Sequence, residues 1–169
     1  LHSNSKKVKK AKFKKGEIIQ RSGEFNSKVY LIKKGLIRSY LIDAKGREHI
    51  FMFAPEGWVL SDNVVPSLPT DLFIDALEDS EVLVIEKQHK GNFEFEKIIK
   101  RLSVLQKRII MLLSASAIDR YEHFVENYPD ITGRVPQRMI ASYLGITPEA
   151  LSTLKGERRK KKSSENSKS

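Results

Sequence analysis

Cysteine is absent from all 169 residues, which removes disulfide scaffolds, thiolate metal sites and cysteine nucleophiles from consideration. No apolar run approaches the ~20 residues a membrane-crossing helix needs. No charged-then-apolar leader opens the chain, so the expected compartment is the cytoplasm, with no membrane partner. Histidine occurs four times: His2, His89 and His123 have no companion at metal-ligand spacing, and His49 reads as a strand-surface residue, so no metal site is assigned. Ser61-Asp62 and the other Ser/His/Asp combinations lack a nucleophile-elbow context. The expectation is therefore a non-enzyme with no catalytic residues. A last gap concerns cations: between Arg47 and Lys87 there is neither lysine nor arginine.

Elsewhere cations abound. The formal charge is +10, which favours a polyanionic partner, nucleic acid before a membrane surface. Lys6, Lys7, Lys9, Lys10, Lys12, Lys14 and Lys15 crowd one end, and Lys155, Arg158, Arg159, Lys160, Lys161 and Lys162 crowd the other. Such runs are commonly solvated tails. Residues 1–12 are therefore expected to form a mobile basic segment and 157–169 a disordered basic tail.

From Phe13 the texture is of short β-prone runs broken by turn residues. Glu17–Gln20, Val29–Ile32, Leu36–Ile42 and His49–Phe53 alternate with Ser22-Gly23-Glu24, Lys34-Gly35, Asp43–Gly46 and Pro55-Glu56-Gly57. This predicts an antiparallel roll or sandwich. Val59–Leu72 has little periodicity. Phe73–Glu78 and Val82–Ile85 read as a final strand pair joined through Asp79-Ser80-Glu81, closing a domain expected over 13–92. A metal-dependent enzyme on such a roll would need several inward histidines, and only His49 lies in it.

The texture then becomes helical. Ile98, Leu102, Leu105, Ile109 and Leu112 recur at gaps of four and three, a heptad seam suited to pairing with a second copy over 93–113. The alternative is that this face docks on the chain's own roll. Ser116 with Asp119 offers a capping-box restart. Tyr121, Phe124, Val125 and Tyr128 form the next apolar stripe, which Pro129 ends.

The stretch Val135–Leu154 reads as helix, tight turn, helix within a domain expected over 114–156. Pro136 suits a first helical position, Gly145 a left-handed turn, and Thr147-Pro148-Glu149 a capped restart. Ile140, Leu144, Ile146, Leu151 and Leu154 would close a small core, with Ala141 small where the second helix passes. Two ordinary packed helices are the alternative. Gly156 is expected to end the second helix.

A roll, a long seam helix, a shorter helix and a helix-turn-helix, in that order, resemble the Crp/Fnr superfamily of bacterial transcription regulators, with the closest likeness to the branch common in Bacteroidetes. The likeness rests on Phe13-Lys14-Lys15-Gly16-Glu17, Ser22-Gly23-Glu24, Val29–Gly35, Ala76–Val82, and Arg134-Val135-Pro136 through Leu151-Ser152. The resemblance implies an α+β chain: an N-terminal antiparallel β-roll of the cyclic-nucleotide-binding type, a dimerisation helix, and a helix-turn-helix without a full β-wing. It also implies a homodimer on a palindromic duplex, with RNA polymerase as a further candidate partner. Family members that bind cyclic nucleotides clamp the phosphate with an arginine. The corresponding region here, Trp58, Leu60, Ser61, Asp62, Thr70 and Asp71, has no cation nearby in sequence and two acids that would repel a phosphate. The expectation is no cofactor and no cyclic nucleotide, with an uncharged small-molecule effector left open. Family iron–sulfur sensors use cysteines, which this sequence lacks.

For DNA, Glu149, Ser152 and Thr153 are the expected base readers, and Arg134, Arg138, Lys155, Arg158, Arg159 and Lys160 the phosphate contacts. Thr153 stands where family members often carry an arginine. That departure sustains an alternative: a ligand- or protein-sensing module with weakened sequence-specific DNA binding.

Overall fold

The computed structural model describes residues 8–87 and 95–166, excluding the side chains of 95–98, 101, 161, 162 and 164–166. It divides into two units, the first ending at Gly91 and the second beginning at Asn92.

Among the described residues, the first unit is two four-stranded antiparallel sheets. One holds β1 (Val8–Phe13), β8 (Ser80–Glu86), β3 (Lys28–Lys34) and β6 (Val59–Ser61) in that spatial order. The other holds β2 (Ile18–Gln20), β7 (Phe73–Ala76), β4 (Ile37–Ile42) and β5 (Glu48–Ala54). Side-chain alternation sends Tyr30, Ile32, Leu60 and Val82 of the first sheet against Ile37, Ala54, Ile74 and Ala76 of the second, all buried. Each large aliphatic or aromatic side chain removed from water in this way stabilises the sandwich by roughly 1.5–3 kcal/mol.

Two expectations for this unit are corrected. Phe73–Ala76 and Ser80–Glu86 do not pair with each other but lie in different sheets. The chain changes layer between them, where the Leu77 N–H donates to the Leu36 carbonyl at 2.8 Å. Gly35 makes the crossing possible: its φ is +88°, and a Cβ there would stand 2.6 Å from the Asp79 carbonyl oxygen. The segment expected to be a mobile basic tail also holds a strand. Val8–Phe13 pairs with Ser80–Ile85, with Ala11 and Phe13 against the core and Lys12 on Glu81 at 2.9 Å. Lysines on such an edge strand hinder pairing with other chains. The rest of that expected segment lies outside the described residues.

The second unit is helical: α1 (Phe95–Ser114), α2 (Ala117–Asn127), α3 (Ile131–Arg134), α4 (Gln137–Leu144) and α5 (Pro148–Asn166). Ser116 caps α2 in a reciprocal box with Asp119, and the helix stops one residue before Tyr128, ahead of Pro129. Tyr121, Phe124, Tyr128, Ile131, Val135, Met139, Ile140, Ala141, Leu144 and Leu151 are all buried. Phe124 lies 5.2 Å from Tyr128 and 5.3 Å from Tyr143, ring centre to ring centre.

Here too the sequence reading needs amendment. Pro136 is the N-cap of α4, not its first helical residue. Gly156 does not end α5, which continues through the expected disordered tail to Asn166. A glycine inside a helix costs only about 1 kcal/mol relative to alanine, and the leucine, lysine, arginine and glutamate around it are good helix formers. Residues 167–169 lie outside the described residues.

Candidate nucleic-acid interface

The turn between α4 and α5 fixes what α5 presents. Gly145 adopts φ 67°, ψ 35° and its N–H caps the end of α4, a left-handed conformation open to glycine at little cost. The Ile146 N–H then bonds the Ala141 carbonyl at 3.0 Å. Thr147 Oγ1 accepts the Ala150 N–H at 3.2 Å, the N-cap contact that opens α5. Leu151 is fully buried and Leu154 half-buried, while Glu149, Ser152 and Thr153 are exposed. The three candidate base readers thus share the outer face of one helix, as helical spacing requires. The Thr153 hydroxyl donates to the Glu149 carbonyl at 3.2 Å, leaving its methyl as the outward group.

The candidate phosphate contacts divide into two sets. Arg138, Arg159 and Lys160 are exposed. Lys155 donates to Gln137 Oε1 at 3.0 Å, bracing α5 against α4. Arg158 faces inward: its guanidinium lies 5.6 Å from the Tyr121 ring centre and its Nε 4.0 Å from Glu122. Arg134 is half-buried at the end of α3. Lys155 and Arg158 are thus structural first.

On α1, Leu102 and Ile109 are 55% and 57% exposed, and Leu112 is 37% exposed. Leu105 is half-buried, and the side chain of Ile98 lies outside those described. Ile99, Val104, Ile110 and Leu113 are exposed as well. Arg108, on the same helix, lies 4.3 Å from the centre of the Tyr143 ring of α4, a cation–π contact that ties the seam helix to the first helix of the turn motif. Sequence reading passed over this pair because neither residue breaks a local pattern.

In the first unit, the six residues singled out near Trp58 do gather around one segment, but the polar side-chain atoms of Ser61, Asp62 and Thr70 are taken by the protein itself. Asp62 is buried, and its Oδ2 accepts the N–H groups of Asp71 and Leu72 at 3.0 Å each. Its Oδ1 accepts the Val64 N–H at 3.3 Å. Thr70 Oγ1 donates to the Arg21 carbonyl at 2.8 Å, and Ser61 Oγ to the Lys28 carbonyl at 3.1 Å. Leu60 belongs to the core, Trp58 packs against it, and Asp71 is exposed. Val59–Ser61 forms β6, which the weak periodicity concealed.

Although no lysine or arginine stands between Arg47 and Lys87, one cation does reach this segment. Lys87 folds back from the end of the roll, and its ammonium donates to the carbonyls of Asp62 and Val64, the latter at 2.8 Å, and to Ser27 Oγ at 2.7 Å. Only the fold brings it there, and no spacing in the sequence could signal it. A second missed cation is Arg38, buried in β4. Its Nε and Nη2 donate to the two oxygens of Asp75 at 2.8 and 2.9 Å, and its Nη1 to Glu48 at 2.5 Å. Burial works to lower the Arg38 pKa, but the hydrogen bonds and charges of Asp75 and Glu48 outweigh it and hold the group charged.

His49 lies on the exposed side of β5, 2.9 Å from Asp43. Among the described residues, no group of three or more His, Cys, Asp or Glu could hold a metal ion, and no helix is long and apolar enough to cross a membrane.

Comparison with known proteins accords with both units. Residues 10–99 match the model of the cyclic nucleotide-binding domain. The chain is 27% identical over 169 residues to the regulatory protein HlyX of Actinobacillus pleuropneumoniae, covering 88% of this chain and 70% of that one. It is 26% identical over 172 residues to the fumarate and nitrate reduction regulatory protein of Yersinia pestis, covering 88% and 68%. Its fold is similar to that of FixK2 from Bradyrhizobium japonicum, with TM-score 0.67, 22% identity, and 91% and 85% coverage of the two chains. It is likewise similar to TTHA1359, a transcriptional regulator of the CRP/FNR family from Thermus thermophilus, with TM-score 0.69, 16% identity, and 90% and 87% coverage. The chain belongs to the cyclic nucleotide-binding domain family, and it resembles Crp/Fnr regulators in sequence and in fold.

Proposed function

We propose that this regulator works as a homodimer that places the outer face of α5 in the major groove at each half of a palindromic site. The observation that carries the reading is the division of labour on α5: Leu151 anchors the helix while Glu149, Ser152 and Thr153 face solvent. A carboxylate at Glu149 can accept from a cytosine amino group, Ser152 can hydrogen-bond a base edge, and the Thr153 methyl suits a thymine methyl. Arg138, Arg159 and Lys160 supply phosphate contacts, which add affinity that falls with salt. The exposed apolar side chains of α1 are the surface through which two copies would pair, setting the two α5 helices one duplex turn apart. The working compartment is then the cytoplasm, and RNA polymerase is a natural second partner.

In this reading the roll does not answer to cyclic nucleotides. Asp62 already takes the Asp71 and Leu72 amides, and the Lys87 ammonium is held by carbonyls and Ser27. An effector, where one acts, is uncharged. The rival, a sensor with weakened base reading, draws on Thr153, whose hydroxyl is turned back onto its own helix.

Gel-shift titration at two salt concentrations, with duplexes selected by the protein from a randomised pool and with unselected duplexes, separates the two. Tighter binding to the selected duplexes at both salts supports the regulator. Equal binding to both classes supports the sensor.

A further inference from the structure

The helix that carries the candidate base readers is longer than base reading requires. At 1.5 Å per residue, the 19 residues of α5 extend about 28 Å, whereas a major groove is about 12 Å wide. A helix of that length whose first two turns meet base edges, entering at a steep angle to the groove, carries its later turns across a phosphate strand. Glu149, Ser152, Thr153, Gly156 and Lys160 follow spacings of three, one, three and four, so they lie along one stripe of the helix.

Gly156 is the anomaly in that stripe. It is not among the glycines with positive φ, and a Cβ built on it would meet nothing within 4 Å. Among the described residues, neither backbone conformation nor crowding calls for a glycine there, although it weakens the helix by about 1 kcal/mol relative to alanine. Beyond it on the outer side, Arg159 and Lys160 are exposed, and Lys161 and Lys162 follow in sequence. From Ser152 to Lys160 the exposed residues are Ser152, Thr153, Glu157, Arg159 and Lys160. None is apolar, which disfavours a protein groove or a lipid surface. The cations favour a phosphodiester chain.

We propose that Gly156 is the point where the sugar–phosphate backbone of duplex DNA comes against α5, with Arg159 and Lys160 gripping the phosphates on the far side. The missing side chain admits the strand between the base-reading turns and the cationic turns. This site rests on the proposed regulator function and adds to it a sequence-independent contact.

The test replaces Gly156 in the full chain with Ala and, separately, with Gln, both better helix formers. Binding is measured on selected and on unselected duplexes, with thermal unfolding in parallel. The proposal expects unfolding temperatures at or above the parent's together with weaker DNA binding, about tenfold for Gly156→Gln (1.4 kcal/mol) and less for Gly156→Ala. The loss should be the same on both duplex classes, because a phosphate contact carries no base information. Parent-like or tighter binding by both variants overturns the site while leaving the regulator intact. A loss confined to selected duplexes overturns it in favour of a base contact. A parent that binds no duplex overturns the site and the regulator function together.

Discussion

Arg38 and Asp75 form a two-pronged ion pair between neighbouring central strands, with side chains only 5% and 12% exposed. The guanidinium also lies 4.1 Å from the centre of the Tyr40 ring, which stacks on Phe73 at 5.5 Å. Removing one charge strands the other in a dry layer. Arg38→Met should destabilise the first unit by about 3–5 kcal/mol, measured by denaturant unfolding. The double variant Arg38→Met/Asp75→Leu should recover most of that loss, because no buried charge is left unpaired. If the double variant is as unstable as the single one, the pair contributes more than mutual neutralisation.

Asp62 organises the segment that follows β6 through three amide hydrogen bonds. Asp62→Ala leaves those donors without an acceptor, and each buried unpaired group costs roughly 1–3 kcal/mol. Hydrogen exchange at the Asp71 and Leu72 amides should accelerate well beyond that in β4. Unchanged exchange would mean that solvent already serves these groups.

The apolar face of α1 should be dispensable for folding and required for assembly. Leu102→Lys with Ile109→Lys changes two exposed positions a heptad apart. Sedimentation velocity should then report a monomer, with circular dichroism preserved. A dimer that persists through both substitutions moves the interface elsewhere.

Glu149→Ala should relax base preference at one position in each half-site, with a loss of discrimination of about 1–3 kcal/mol. Binding-site selection checks this, since an unchanged motif would remove Glu149 from the reading set. Arg159→Gln and Lys160→Gln should instead leave the motif alone, each lowering the slope of the salt dependence by about one unit. Arg158→Gln should perturb stability through its packing on Tyr121.

Asp43 binds its own hairpin: hydrogen bonds from His49 and from the Arg47 and Lys45 backbone hold its carboxyl below the usual range. A carboxyl lowered in the folded state contributes stability that is full above its unfolded pKa of about 3.9 and is lost as pH falls through the folded value. An NMR carboxyl titration should therefore place the Asp43 midpoint below that of an exposed aspartate. Asp43→Asn should remove this part of the acid sensitivity of the β4–β5 turn.

Much of the fold was legible because its signals are local. The capping box at Ser116, the left-handed Gly145 and the Thr147 cap each need only a few neighbouring residues, and the structure holds all three. What escaped depends on contacts between distant residues. The separation of β7 from β8 is set by Gly35, more than 40 residues upstream of Asp79. The strand in the lysine-rich start is set by an edge waiting on β8. Lys87 reaches Ser27, 60 positions away. The outward placement of Glu149, Ser152 and Thr153 followed from periodicity, whereas the inward turn of Arg158 did not, because a basic run gives no sign of which cation finds an aromatic ring. The helical course of the tail is hidden in the sequence because Gly156 carries a terminator's signal while the helix formers around it carry the chain through.

The pairing of β1 with β8 also constrains how the roll comes into being. Among the described residues, β1 has no neighbour in its sheet other than β8, and the two strands meet through partners such as Val8 and Ile85. Contacts of such long sequence separation are slow to form. On the ribosome, the first strand of the roll must wait, unpaired, until the last has emerged, so its lysines guard an open edge for most of the time the domain is being made.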